Sequence, residues 1–196
     1  MTITSQTPPD PICEPCIAGK QHRGPIPRSA SHHATQALEL VHSDVHGPLP
    51  VQSRHGYKYW ITFIDDHTQF WSVYLMSSKS EAFSAFKKFK AYAENQLGST
   101  IKLLRDDKGG EYMSNEFNAY LAAAGIARQH TVRNEPHQNG VAERANRTIA
   151  EGITAMLNEA RLPASFWEYA INVFVHVHNR SPTAALSNAT PFTKWL

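Results

Sequence analysis

At Asn139-Gly140 a turn dipeptide runs straight into a helical pattern, and the rest of the chain has to fold around what that junction carries. The stretch reads His137-Gln138-Asn139-Gly140-Val141-Ala142-Glu143-Arg144-Ala145-Asn146-Arg147. Ile149, Ile153, Met156 and Leu157 continue an amphipathic stripe to about Arg161, and Pro163 breaks it. Glu143 lies in the first turn, with Arg144 and Arg147 beside it. A carboxylate among fixed cations suggests chemistry on phosphate. A single acid is not enough for that, so its partners must come from elsewhere in the chain.

Upstream, the pattern alternates between strand and helix. Leu38 to His46 reads as a buried strand, with Asp44 near its end before the Gly47-Pro48 turn. Asp44 is either an exposed loop residue or a site residue at the mouth of a sheet. Tyr57 to Asp65 and Phe70 to Met76 are β-branched and aromatic, joined by Asp66-His67-Thr68-Gln69 as a hairpin. Asp65 and Asp66 are most simply turn acids. Lys79 to Leu97 has helical spacing, with Phe83, Phe86, Phe89 and Tyr92 expected on one core-facing stripe. Lys87, Lys88 and Lys90 fall on other faces, either solvated or against a DNA backbone.

Ile101 to Arg105 is a short strand that ends in Asp106-Asp107-Lys108-Gly109-Gly110-Glu111-Tyr112. Two acids followed by Gly-Gly mark a tight turn, or a place where an ion or ligand approaches the backbone. Ser114 is placed to cap a helix from Asn115 to Ala124, closed by Gly125, with Phe117, Tyr120 and Leu121 inward. Ile126 to Val132 adds a strand. Ala164 to Asn179 is a second apolar helix, bearing Phe166, Trp167, Tyr169, Ile171, Phe174 and Val175. Ser181-Pro182 onward reads as loop.

Strand, hairpin, helix, strand, helix, strand, helix, helix is the order of an α/β fold, a mixed sheet with helices around it. If the first and fourth strands are neighbours, Asp44, Asp107 and Glu143 can meet at one edge. Hard oxygen ligands suit Mg²⁺ or Mn²⁺, and two such ions support phosphoryl transfer without a protein nucleophile. No serine or cysteine stands beside a base for covalent chemistry.

Composition narrows the class. The 196 residues suffice for one sizeable domain with short appendages, and 41% hydrophobic with 10% aromatic residues fits a globular core. A net charge of +2 does not by itself announce nucleic acid. No apolar run approaches a membrane span, and MTITSQTPPDP lacks the regions of a signal peptide, so a soluble intracellular protein with no membrane partner is expected. Residues 1–36 read as a poorly ordered tail. Cys13 and Cys16 form half of a tetrahedral zinc site or no metal site at all, since the spacing of His22, His32 and His33 fits no zinc pattern.

Three segments carry a resemblance. His42-Ser43-Asp44-Val45-His46-Gly47-Pro48, Leu104 to Tyr112, and Asn134 to Thr148 resemble, in order and spacing, the three acidic motifs of the integrase of copia-type LTR retrotransposons. The resemblance covers about residues 38 to 196. It implies an RNase H-like fold with a mixed five-stranded sheet flanked by helices. It implies residues 37–180 as the catalytic core and 181–196 as the start of a post-core linker. Asp44, Asp107 and Glu143 would be the catalytic, metal-binding acids. Asp107 is favoured over Asp106 because it directly precedes the residue-Gly-Gly-Glu-Tyr segment. Cys13 and Cys16 are similar to the last two ligands of the family's His-His-Cys-Cys zinc domain. No histidine precedes Cys13, so zinc is not expected to bind as in the family. Lys108 stands where the family usually has Asn.

The activity so implied is the joining of element 3′ ends to target DNA, with two Mg²⁺ or Mn²⁺ ions as cofactors. Arg147 is expected near a DNA phosphate, Gln138 and Asn139 as DNA contacts or turn formers, and Arg144 as a surface or intramolecular pair. DNA and further copies of the chain are the expected partners. Nuclear action follows, with passage through cytoplasmic virus-like particles. A catalytically inactive, nucleic-acid-binding relic is the rival reading, and an RNase H-type nuclease a third.

Overall fold

Five short segments rich in branched and aromatic residues pair into one sheet. They are β1 (Val41–His46), β2 (Tyr59–Asp65), β3 (Trp71–Met76), β4 (Leu103–Asp106) and β5 (Ala127–His130). Their spatial order is β3-β2-β1-β4-β5. The β1–β2 and β2–β3 pairs are antiparallel, whereas β1–β4 and β4–β5 are parallel. The mixed sheet expected from the element order is therefore present, with the first and fourth strands as neighbours. This computed structural model describes residues 33–107, 109–112, 114–130 and 140–196. Cys13, Cys16, Lys108, Gln138 and Asn139 lie outside the described residues, as do the expectations resting on them.

Helices cover both faces of the sheet: α1 (Ala82–Leu97), α2 (Asn115–Ala123), α3 (Gly140–Glu159), α4 (Trp167–Arg180) and α5 (Pro191–Trp195). β2 shows the consequence in its sequence. Ile61 and Phe63 enter one apolar cluster with Phe86, Phe89, Phe117 and Leu104, while Trp60 and Ile64 enter another with Ile149, Ile153, Trp167 and Ile171. Alternate residues face opposite sides of a strand, so a strand covered on both sides reads as continuously apolar. Phe63 stacks on Phe89 at 4.5 Å. Each such buried side chain contributes about 1.5–3 kcal/mol relative to exposure.

Local signals place most helix ends. The Ser114 side chain accepts from the Phe117 N–H, as its capping position predicts, and Gly125 closes the connection at φ 68°. The expected stripe on α1 needs correction. Phe86 and Phe89 are buried and Phe83 is partly buried, but Tyr92 is exposed; Ala82, Ala85 and Ala93 complete the inward face. Each step of three residues falls about 60° short of a full turn, so the three steps from Phe83 to Tyr92 drift about halfway around the helix. Of the lysines, Lys87 and Lys88 are exposed, with Lys87 over the Phe83 ring, and the half-buried Lys90 pairs with Glu94 at 2.6 Å.

The loop expected beyond Ser181 is also corrected. Ala184–Leu186 forms a 3-10 turn, and α5 follows, with the Thr190 side chain accepting from Thr193 N–H and Pro191 in its first turn. Trp195 is 1% exposed and stacks on Phe70 at 4.5 Å. A five-residue helix is too short to leave a periodic pattern, and it forms here because its tryptophan is buried in the core.

Asp65 closes β2 and Asp66 opens the β2–β3 turn, both as buried anchors rather than surface acids. Asp65 accepts from the backbone of Leu38 and Thr68. Asp66 accepts from Ala34 N–H and faces His42 Nε2 at 2.8 Å. No described helix is long and apolar enough to cross a membrane.

Candidate active site

Asp44 is the fourth residue of β1 and pairs with Thr62 of β2. Directly opposed residues of an antiparallel pair share a face. Asp44 therefore shares the face of Trp60, Thr62 and Ile64, the side on which α3 packs. Its neighbour Ser43 points the other way and meets the buried Tyr112 hydroxyl at 2.7 Å. That bond pins the Gly110–Tyr112 turn, just after Asp107, against the strand that carries Asp44. The sequence offered no specific sign of this role for Tyr112.

The two consecutive acids at the end of β4 separate cleanly. Asp106 is fully buried, accepting from Arg128 Nε at 2.7 Å and facing His130 Nδ1 at 2.9 Å, so it ties β4 to β5. Asp107, one residue on, is exposed, and its Oδ1 accepts from Gly109 N–H at 2.9 Å. Asp107 is thus the acid left at the surface of the strand end.

Glu143 is exposed in the first turn of α3. Ala142 and Ala145 are buried beneath it and let the helix start lie close on the sheet. Asn146, also buried, donates from Nδ2 to Asp44 Oδ2 at 2.8 Å. Arg147 and Arg144 are exposed, and the Arg144 guanidinium lies back over Gly140. Further along α3, Gly152 has no side chain because the Phe174 ring of α4 occupies that place: a Cβ would stand 2.1 Å from it.

Electrostatics link the three acids. Burial pushes the Asp44 carboxyl up to about 7, the hydrogen bond from Asn146 opposes the rise, and the negative charges of Asp107 and Glu143 add to it. Asp44 therefore sits in the field of both other acids. They are not drawn together into a ligand cage: among the described residues, no group of three His, Cys, Asp or Glu side chains is spaced to hold a metal ion. The donor set nevertheless fits a divalent cation. It offers carboxylate oxygens from three elements, with repulsion that a cation would relieve.

Solved structures share this architecture. The simian T-cell lymphotropic virus intasome in complex with PP2A regulatory subunit B56 gamma aligns at TM-score 0.72 and 19% identity, over 93% of this chain and 63% of that one. The HTLV-2 integrase catalytic core domain in complex with magnesium, in its trimeric form, aligns at 0.61 and 20%, over 83% of this chain and 99% of that one. The fold is RNase H-like, that of the retroviral integrase catalytic cores.

Residues 34–136, more than half of the chain, match the family model described as the integrase core domain. The Pol polyprotein from transposon TNT 1-94 of Nicotiana tabacum is 43% identical over 183 residues, covering 93% of this chain. That from transposon RE2 of Arabidopsis thaliana is 33% identical over 182 residues. The chain belongs to the integrase core domain family, as the integrase catalytic core of a copia-type retrotransposon polyprotein. It spans 14% and 12% of the length of those two relatives.

Proposed function

We propose that this domain performs metal-dependent strand transfer, joining the 3′ ends of retrotransposon DNA to target DNA, with Asp44, Asp107 and Glu143 as its catalytic acids. The observation that carries the reading is the placement of Asp44. It is half-buried on β1, beside the parallel strand that ends at Asp106, just before Asp107, and under the helix start that bears Glu143, and it feels the charge of Asp107 and of Glu143. Mg²⁺ or Mn²⁺ ions bound by these acids would activate the attacking 3′-hydroxyl and stabilise the leaving oxygen.

The chain's own residues set the stage for that chemistry. Asn146 holds one oxygen of Asp44. Glu143 stands at the exposed end of α3, and Arg147, one turn on, is exposed to receive a DNA phosphate. Gln138 and Asn139, just before the helix, are assigned to DNA contact at the mouth of the site. Element ends, target DNA and further copies of the chain are its partners, and the nucleus its place of action, reached by way of cytoplasmic virus-like particles. The HTLV-2 integrase core has dimeric and trimeric forms, which supports an oligomer. Residues 1–36 are assigned as a remnant of the zinc-binding domain.

A second reading, a nucleic-acid-binding relic without catalysis, draws on the Asp107 carboxylate turned onto Gly109 and the acids standing apart. One experiment separates the two. Mn²⁺-dependent joining of an oligonucleotide by the purified chain, abolished by Glu143→Gln with DNA binding retained, supports strand transfer. DNA binding without joining supports the relic, and full joining by Glu143→Gln refutes the triad.

A further inference from the structure

The geometry points to Asn146 as a positioning residue that fixes both the Asp44 carboxylate and the seat of the helix carrying Glu143. Asn146 is 1% exposed, one turn beyond Glu143 on α3. Its Oδ1 accepts from Trp60 Nε1 at 2.8 Å and from Thr62 Oγ1 at 2.6 Å. Its Nδ2 donates to Asp44 Oδ2 at 2.8 Å. Chemistry decides which way the amide points. An indole N–H can only donate, so the amide atom facing Trp60 is the oxygen, and the nitrogen is left for the carboxylate.

Trp60 cannot easily turn away. It is fully buried, stacked on His46 at 4.3 Å and packed on Trp167 at 5.8 Å. The tryptophan therefore orients the amide, and the amide orients the carboxylate. A carboxylate in the field of two others would otherwise rotate away from them. Because Asn146 rides on α3, the same three bonds couple the height and rotation of that helix to β1 and β2. Two of the three acids are thus referenced to one buried amide. Supporting partners of this kind hold metal-binding carboxylates in place and tune their affinity.

This inference rests on the functional reading above, and its test keeps the two apart. The probe is Mn²⁺ alone, titrated into the purified 196-residue chain by calorimetry, with thermal unfolding recorded for each variant. Asn146→Leu is expected to raise the Kd for Mn²⁺ by about tenfold or more. The Mn²⁺ concentration needed for half-maximal joining should rise in parallel, and joining should recover as Mn²⁺ is raised. A folded Asn146→Leu that binds Mn²⁺ as the parent does overturns the proposal. Should Asn146→Leu fail to unfold cooperatively, Thr62→Val is read instead. It leaves Asp44 and Asn146 in place and removes one of the two donors that orient the amide. A Kd raised about threefold supports the proposal, and an unchanged Kd overturns it. Mn²⁺ binding that requires Glu143 but not Asn146 defeats the proposal alone. A parent chain that binds no Mn²⁺ defeats the functional reading and the proposal together.

Discussion

Asp106 and Asp107 are neighbours of identical chemistry, and the structure assigns them opposite consequences. In Asp106→Asn the shape is kept and the charge is lost. Arg128, only 10% exposed, then keeps its guanidinium charge without the carboxylate 2.7 Å from Nε. Removing one partner of a buried ion pair costs about 3–5 kcal/mol, because the other charge stays buried. Arg128 retains its bond to Asn118 and its place near the Tyr112 and Phe117 rings, so the lower end applies, about 3 kcal/mol. For a domain of this size that is a fall in Tm of about 6–12 °C. In Asp107→Asn the side chain is exposed and its amide oxygen can still accept from Gly109 N–H, so stability should stay within about 0.5 kcal/mol. Urea unfolding measures both. Joining assayed below both unfolding transitions should be lost in Asp107→Asn and retained in Asp106→Asn. Equal stability of the two variants, or loss of joining confined to Asp106→Asn, would refute the division of labour.

Three further outcomes follow from packing and charge. Burial pushes the Asp66 carboxyl up, but the hydrogen bonds from His42 and Ala34 and the charges of His42 and His33 outweigh it, holding it at about 2. A depressed folded-state pKa contributes stability above the unfolded value near 4 and loses it on acidification toward 2, so the parent's advantage of about 2 kcal/mol over Asp66→Asn should vanish across that window in pH-dependent urea unfolding. Trp195→Ala should cost about 3–5 kcal/mol, seen as an early thermal transition; if residues beyond Ser181 were merely a tail, the curve would not move. Gly152→Val should cost about 1–3 kcal/mol by displacing Phe174 and loosening α3 from α4, with Gly152→Ala milder; an unshifted unfolding midpoint would mean that this helix pair is not closely packed.

Much of the architecture was legible because it rests on short-range rules. Ser114 and Gly125 bracket α2, Pro163 separates α3 from α4, and the β-branched runs on either side of Asp66 to Gln69 pair as a hairpin. Tyr92 leaves the core face because spacing of three mimics a helix face only over a turn or two. Helix α5 leaves no signal in the sequence because five residues carry no period.

The sequence by itself determined which acids could matter and in what order they occur: Asp44 near a strand end, Asp107 before Gly-Gly, Glu143 opening a helix. Their motif wording also pointed to the family. Only the tertiary structure decided that β1 and β4 lie side by side, because parallel pairing joins segments distant in the chain and no local rule specifies it. It also gave the two adjacent acids different surroundings, burying Asp106 against Arg128 and leaving Asp107 exposed. Asn146 is the sharpest case. In the sequence it is one polar residue in a helix; in the fold, Trp60 and Thr62 turn its amide toward Asp44. A hydrogen-bond donor has a direction only once its neighbours in space are set.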